Sequence, residues 1–108
     1  KSTDGGNSWD KLDVSPITES FGVGDIVVDP KNSNNIYLGT VDYFRLAQDR
    51  GVLGDFGILA SNDGGLTWRE FNSGLQHLGV FTLELNSETR ILYAGTRAGG
   101  VYWINLND

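Results

Sequence analysis

The chain contains no cysteine and no methionine, a single histidine and only two prolines. Without cysteine there is no disulfide framework and no thiolate metal site. No Ser/His/Asp arrangement, phosphate loop or metal cluster appears at a recognisable spacing, and no cofactor is expected. Basic residues are also scarce. Eight Lys and Arg face fourteen Asp and Glu, a formal charge of −6. That balance argues against nucleic acid and anionic membranes, both of which need a basic surface. No apolar run approaches the roughly 20 residues that cross a bilayer as a helix, so membrane insertion is not expected. Nor does any segment combine a 3.6-residue apolar period with helix caps.

What the sequence has instead is glycine, 15 residues in 108, set among short runs of Val, Ile, Leu, Tyr, Phe and Trp. Gly, Asn, Asp and Ser clusters separate those runs, the pattern of short strands joined by tight turns. The runs repeat. Ser2-Thr3-Asp4-Gly5-Gly6-Asn7-Ser8-Trp9 returns 59 residues later as Ser61-Asn62-Asp63-Gly64-Gly65-Leu66-Thr67-Trp68. Ile36-Tyr37-Leu38-Gly39-Thr40 returns as Leu92-Tyr93-Ala94-Gly95-Thr96, and Gly57-Ile58-Leu59-Ala60 as Gly100-Val101-Tyr102-Trp103. In order, one unit predicts four strands: A over 24–29, B over 35–40, C over 57–61 and D over 67–72. The second unit predicts A over 80–85, B over 91–96 and C over 100–106. A further strand D, Ser8 to Leu12, follows the first motif. This divides the chain into residues 1–15, a turn and strand D of a split unit; 16–78, a complete unit; and 79–108, strands A to C of a final one.

Both motif copies fit Ser-x-Asp-x-Gly-x-x-Trp. In a tight turn, a short carboxylate accepts amides that have no ladder partner, and glycine supplies positive φ. Ser2, Asp4, Gly6 and Trp9, with Ser61, Asp63, Gly65 and Trp68, are therefore expected to be structural. A calcium loop would need more oxygen ligands than these residues supply. The motif resembles the Asp-box (BNR repeat) of sialidase, xyloglucanase, sortilin-type and photosystem II assembly-factor β-propellers. The resemblance covers nearly the whole chain and implies an all-β fold of about two four-stranded antiparallel blades, cyclically split. Propellers close rings of about 4–8 blades. The chain is thus expected to be part of a larger propeller, as its start at Lys1 indicates, or of an oligomeric ring. Its partners would be the remaining blades or copies of itself. The resemblance also implies an exported location.

Alternating strand directions put the A–B and C–D turns at one end and the B–C and D–A loops at the other. The B–C connection over 41–56 is long, whereas its repeat is only Arg97-Ala98-Gly99. Long insertions of this kind are commonly functional. On that end the expected ligand-binding residues are Glu19, Phe21, Tyr43, Phe44, Arg45, Arg50, His77 and Arg97. Their mix of aromatic and charged groups suits a glycan or a protein. Glycoside hydrolysis needs two carboxylates about 5–10 Å apart. Asp25, Asp42 and Asp55 are the candidates, and no spacing selects a pair. The expectation is a non-catalytic module that binds a protein or glycan. The alternatives are a part of a xyloglucanase- or sialidase-like glycoside hydrolase, and a structural subunit of a ring.

Overall fold

The structure is a computed structural model and describes residues 1–14, 22–41, 56–97 and 99–107. It is all-β, with no helix among the described residues. Four strands, β1 (Gly22–Val28), β2 (Ile36–Val41), β3 (Ile58–Ser61) and β4 (Arg69–Glu70), form one antiparallel sheet in chain order. Three more, β5 (Val80–Asn86), β6 (Ile91–Thr96) and β7 (Val101–Asn105), form a second.

The two sheets are repeats of one another in register as well as in sequence. Each first strand carries an irregularity at the same place. Val23 pairs with Thr40 and Asp25 with Gly39, leaving Gly24 over; Val80 pairs with Thr96 and Thr82 with Gly95, leaving Phe81 over. An extra residue of this kind bends and twists the strand. The alternation of side chains then decides what each face buries. β2 is buried along its whole length. Tyr37, with Ile58 and Ala60 of β3, faces the second sheet and meets Val80, Leu83, Leu92 and Ala94. Ile36, Leu38 and Leu59 point the other way, where Trp68 packs on them and Leu12 and Val14 cover them.

Close approach of the sheets depends on two glycines. A Cβ on Gly24 would lie 2.4 Å from the Val80 carbonyl oxygen, and one on Gly39 would lie 2.7 Å from Val80 Cγ1. Two polar fastenings complete the contact. Asp25 Oδ2 accepts the Leu83 amide at 2.8 Å and the Thr82 hydroxyl at 3.3 Å. Asp29, fully buried, takes both guanidinium nitrogens of Arg90, at 2.9 and 2.5 Å.

The strand expected over Ser8–Leu12 does not form a ladder. Asp10 donates its amide to Lys1 O at 2.7 Å and accepts the Lys1 ammonium at 2.9 Å. That is the register of Ala60 against Arg69, and this one pair is too short for a strand. β4 is likewise shorter than the span expected over 67–72, although Phe71 N still bonds Ile58 O at 2.8 Å.

Candidate functional site

At one end of the sheets the two Ser-x-Asp turns consume their own polar groups. Asp63 Oδ1 accepts the Thr67 amide at 2.9 Å, the Leu66 amide at 3.1 Å and the Ser61 hydroxyl at 2.8 Å; Oδ2 accepts the Thr67 hydroxyl at 2.5 Å. Ser61 Oγ accepts the Gly65 amide at 2.9 Å. Gly64 and Gly65 take φ of 75° and 96°, which a side chain would resist. Asp4 repeats this pattern with Ser2, Gly6 and Ser8. Hydroxyl and amide donors, Thr67 first for Asp63 and Ser8 first for Asp4, hold both carboxyls down at a pKa of about 2, below the usual 3.8. With every donor aimed inward, these carboxylates act as turn anchors. The Asn32–Asn35 turn joins the same end, since Gly64 N bonds Asn34 O at 3.0 Å and Asn62 Nδ2 bonds Asn35 Oδ1 at 3.0 Å.

The tryptophans differ. Trp68 is 6% exposed, and its Nε1 donates to Gly65 O at 3.0 Å. Trp9, expected to pack over its hairpin, is 73% exposed. Among the described residues, no sheet lies beneath it comparable to the one Trp68 covers.

The opposite end is built on a repeated latch. Thr40 Oγ1 donates to Gly57 O at 2.8 Å and accepts the Phe56 amide at 2.9 Å. Thr96 Oγ1 donates to Gly100 O at 2.7 Å and accepts the Gly99 amide at 3.0 Å. Gly57 and Gly100 both have positive φ, 75° and 86°. The long connection and the short one thus leave and re-enter the sheet through the same bonds. Asn72 braces the first latch: its Oδ1 accepts Ile58 N at 2.8 Å, and its Nδ2 donates to Phe56 O at 3.0 Å. Gly57 N bonds Leu78 O, and Arg97 N bonds Gly79 O, both at 2.8 Å, so both types of loop meet here.

Two of the sequence-predicted ligand residues are described, and both lie at this end. The Arg97 guanidinium carbon sits 5.4 Å from the centre of the Phe81 ring, within cation–π range. His77 lies exposed, 6.3 Å ring to ring from Tyr102. Gly99 packs so closely on His77 that a Cβ there would lie 2.0 Å from its Cδ2. Glu19, Phe21, Asp42, Tyr43, Phe44, Arg45, Arg50 and Asp55 fall outside the described residues. Asp25 does not face this end as a free carboxylate. Its Oδ1 accepts Ile26 N at 2.8 Å, and its Oδ2 fastens the second sheet. Among the described residues, no group of three or more His, Cys, Asp or Glu side chains converges.

Sequence reasoning missed Asp29 and Arg90. Hydrogen bonds from Arg90 bring Asp29 down to a pKa of about 2, from 3.8, and the carboxylate raises the guanidinium in turn. Asp29 reads as the last residue of the first strand A, just before Pro30. Only its conjunction with an arginine of positive φ (62°), in a turn of the other sheet, gives it this role. No protein-family model, no curated protein and no solved structure matches the chain.

Proposed function

We propose that the two sheets are blades of an Asp-box β-propeller, and that the chain is a non-catalytic module binding a protein or glycan through its latched loop end. The observation that carries this reading is the asymmetry between the two ends. At the turn end the carboxylates of Asp4 and Asp63 are spent on their own backbone and hydroxyls. At the loop end Thr–Gly latches hold connections of very different length on one frame, with Arg97, Phe81 and His77 beside them. Loops held on a rigid frame are where binding surfaces are usually built. A cation over an aromatic ring, with further aromatic and imidazole groups nearby, suits the apolar faces and hydroxyls of a sugar or the side chains of a peptide.

The non-catalytic part rests on Asp25. The one described candidate for a catalytic carboxylate accepts two backbone amides and a hydroxyl, a structural employment. Calorimetric titration with xyloglucan oligosaccharides and sialyllactose tests the glycan arm. Binding that weakens about tenfold in Arg97→Ala, with no product released, supports the reading. Turnover of either sugar that disappears in Asp25→Asn would replace it with the hydrolase alternative.

A further inference from the structure

The D–A loop over 72–79 meets the short connection after β6 at two points. Gly79 O accepts the Arg97 amide at 2.8 Å. Two residues earlier, the His77 ring lies so close to Gly99 that a Cβ there would overlap its Cδ2, Cγ and Nε2 together. The same ring stands tilted at 46° to that of Tyr102 on β7. The imidazole is thus wedged between Gly99 and Tyr102. Gly99 in turn belongs to the second latch: its amide donates to Thr96 Oγ1 at 3.0 Å, and that hydroxyl donates to Gly100 O at 2.7 Å. Arg97, on the same connection, holds its guanidinium carbon 5.4 Å from the centre of the Phe81 ring. A displacement of Gly99 therefore reaches both the latch and the frame on which Arg97 stands.

His77 is the single histidine of the chain. Histidine is the side chain whose ordinary change of charge falls between about pH 5 and pH 8. A charge on this ring would be badly placed. Its own stretch, 72–79, contains no charged residue. β7 offers the Tyr102 phenol, the connection after β6 offers the Arg97 cation, and β5 begins uncharged with Val80-Phe81-Thr82. Asp25, the carboxylate described at this end, is spent on Ile26, Thr82 and Leu83. An imidazolium would thus meet a like charge on the connection it braces, and no carboxylate from the described residues of these elements. A neutral ring packs against glycine readily, whereas a charged one is better hydrated away from it.

We propose that His77 is a pH-operated strut of the loop end. Uncharged, it holds Gly99 in place and with it the Arg97–Phe81 pair. Protonated, it leaves Gly99, and the connection is then fastened to the D–A loop by the Arg97–Gly79 bond without the packing beside it. Affinity at the loop end therefore falls as the pH drops through the histidine range. The regulation rests on the proposed function for its ligand, but the movement of the strut does not.

Amide spectra of the ligand-free 108-residue chain, recorded from about pH 8 to pH 5, test the movement. The Gly99, Gly100 and Phe81 amides should shift with the same midpoint as the His77 ring protons. His77→Phe keeps a ring against Gly99 that cannot take a proton, and should abolish that response. Amides that ignore the pH, or that respond equally in His77→Phe, would overturn the proposal. Calorimetry with xyloglucan oligosaccharides and sialyllactose reads the consequence. Wild-type affinity should fall about threefold to tenfold between the same two pH values. His77→Phe should show no such fall, and His77→Ala, which removes the strut, should bind weakly at both. A sugar bound equally well at both pH values would overturn the regulation and leave the binding reading intact. No sugar bound at either would overturn the binding reading, and the ligand-free response would still decide the strut.

Discussion

Asp63 and Asp4 carry the same message in two settings. Each carboxylate is held ionised by donors three or four residues ahead of it, so the interaction is local and was readable from Ser-x-Asp-x-Gly spacing alone. Their depressed pKa values have a consequence for stability. A carboxyl with a folded pKa of about 2 and an ordinary value of 3.8 stabilises the fold fully above the higher figure. That contribution is lost as pH falls through the lower one. Asp29 adds to the same window. The melting temperature should therefore hold down to the ordinary carboxylate range and drop below it. Asp63→Asn should flatten that drop, which a pH series of thermal melts would read. The tryptophans test a distinction that the sequence could not draw. Identical motifs predict identical roles, yet burial separates them: Trp68 packs on Ile36, Leu38 and Leu59, and Trp9 stands exposed. Trp68→Ala should cost about 3–5 kcal/mol. Trp9→Ala should cost the isolated chain about 0.5 kcal/mol or less, as surface changes do. Denaturant titration of both variants decides.

Among the elements, the strands were legible because apolar runs alternate with turn residues, and their order followed from the repeat. Ser8–Leu12 was the exception. A strand is a property of its partner as much as of its own residues, and among the described residues the pairing here is one pair, Asp10 with Lys1. The Thr40 and Thr96 latches were hidden for another reason: threonine followed by a loop has no distinctive sequence signal. Yet the latch explains how connections of such unequal length fit one frame. Replacing residues 41–56 with a connection as short as that between Thr96 and Gly100 should leave the fold standing, whereas Thr40→Val should lower the melting temperature by removing a buried donor and acceptor. The Asp29–Arg90 pair links turns 61 residues apart in sequence, and no local pattern forecasts such a contact. Bidentate pairing of this kind is directional. Its loss should be felt at the sheet–sheet contact, with Asp29→Ala lowering the denaturation midpoint because it leaves a partly buried guanidinium unpaired. Arg90→Met should be milder, and chemical denaturation would order the two.

At the scale of the molecule, two sheets repeat one plan and stack face to face through Val80, Gly24 and Gly39. The stacking separates a turn end, where polar groups are consumed locally, from a loop end, where Arg97, Phe81 and His77 are gathered by connections of both kinds. Placing His77 and Arg97 at that end was possible from the sequence, because antiparallel order alone sorts turns into two sets. Asp25 was harder. Its position suited a catalytic carboxylate, and only the three-dimensional contact with Leu83 shows how its oxygens are used. The most direct test of the functional account is amide chemical-shift mapping by nuclear magnetic resonance, titrating the chain with xyloglucan oligosaccharides, with sialyllactose and with a pool of peptides. The account predicts shifts concentrated at residues 77–81 and 97–100, with residues 2–9 and 61–68 unchanged. Shifts centred on the Ser-x-Asp turns, or none with any of these probes, would contradict it.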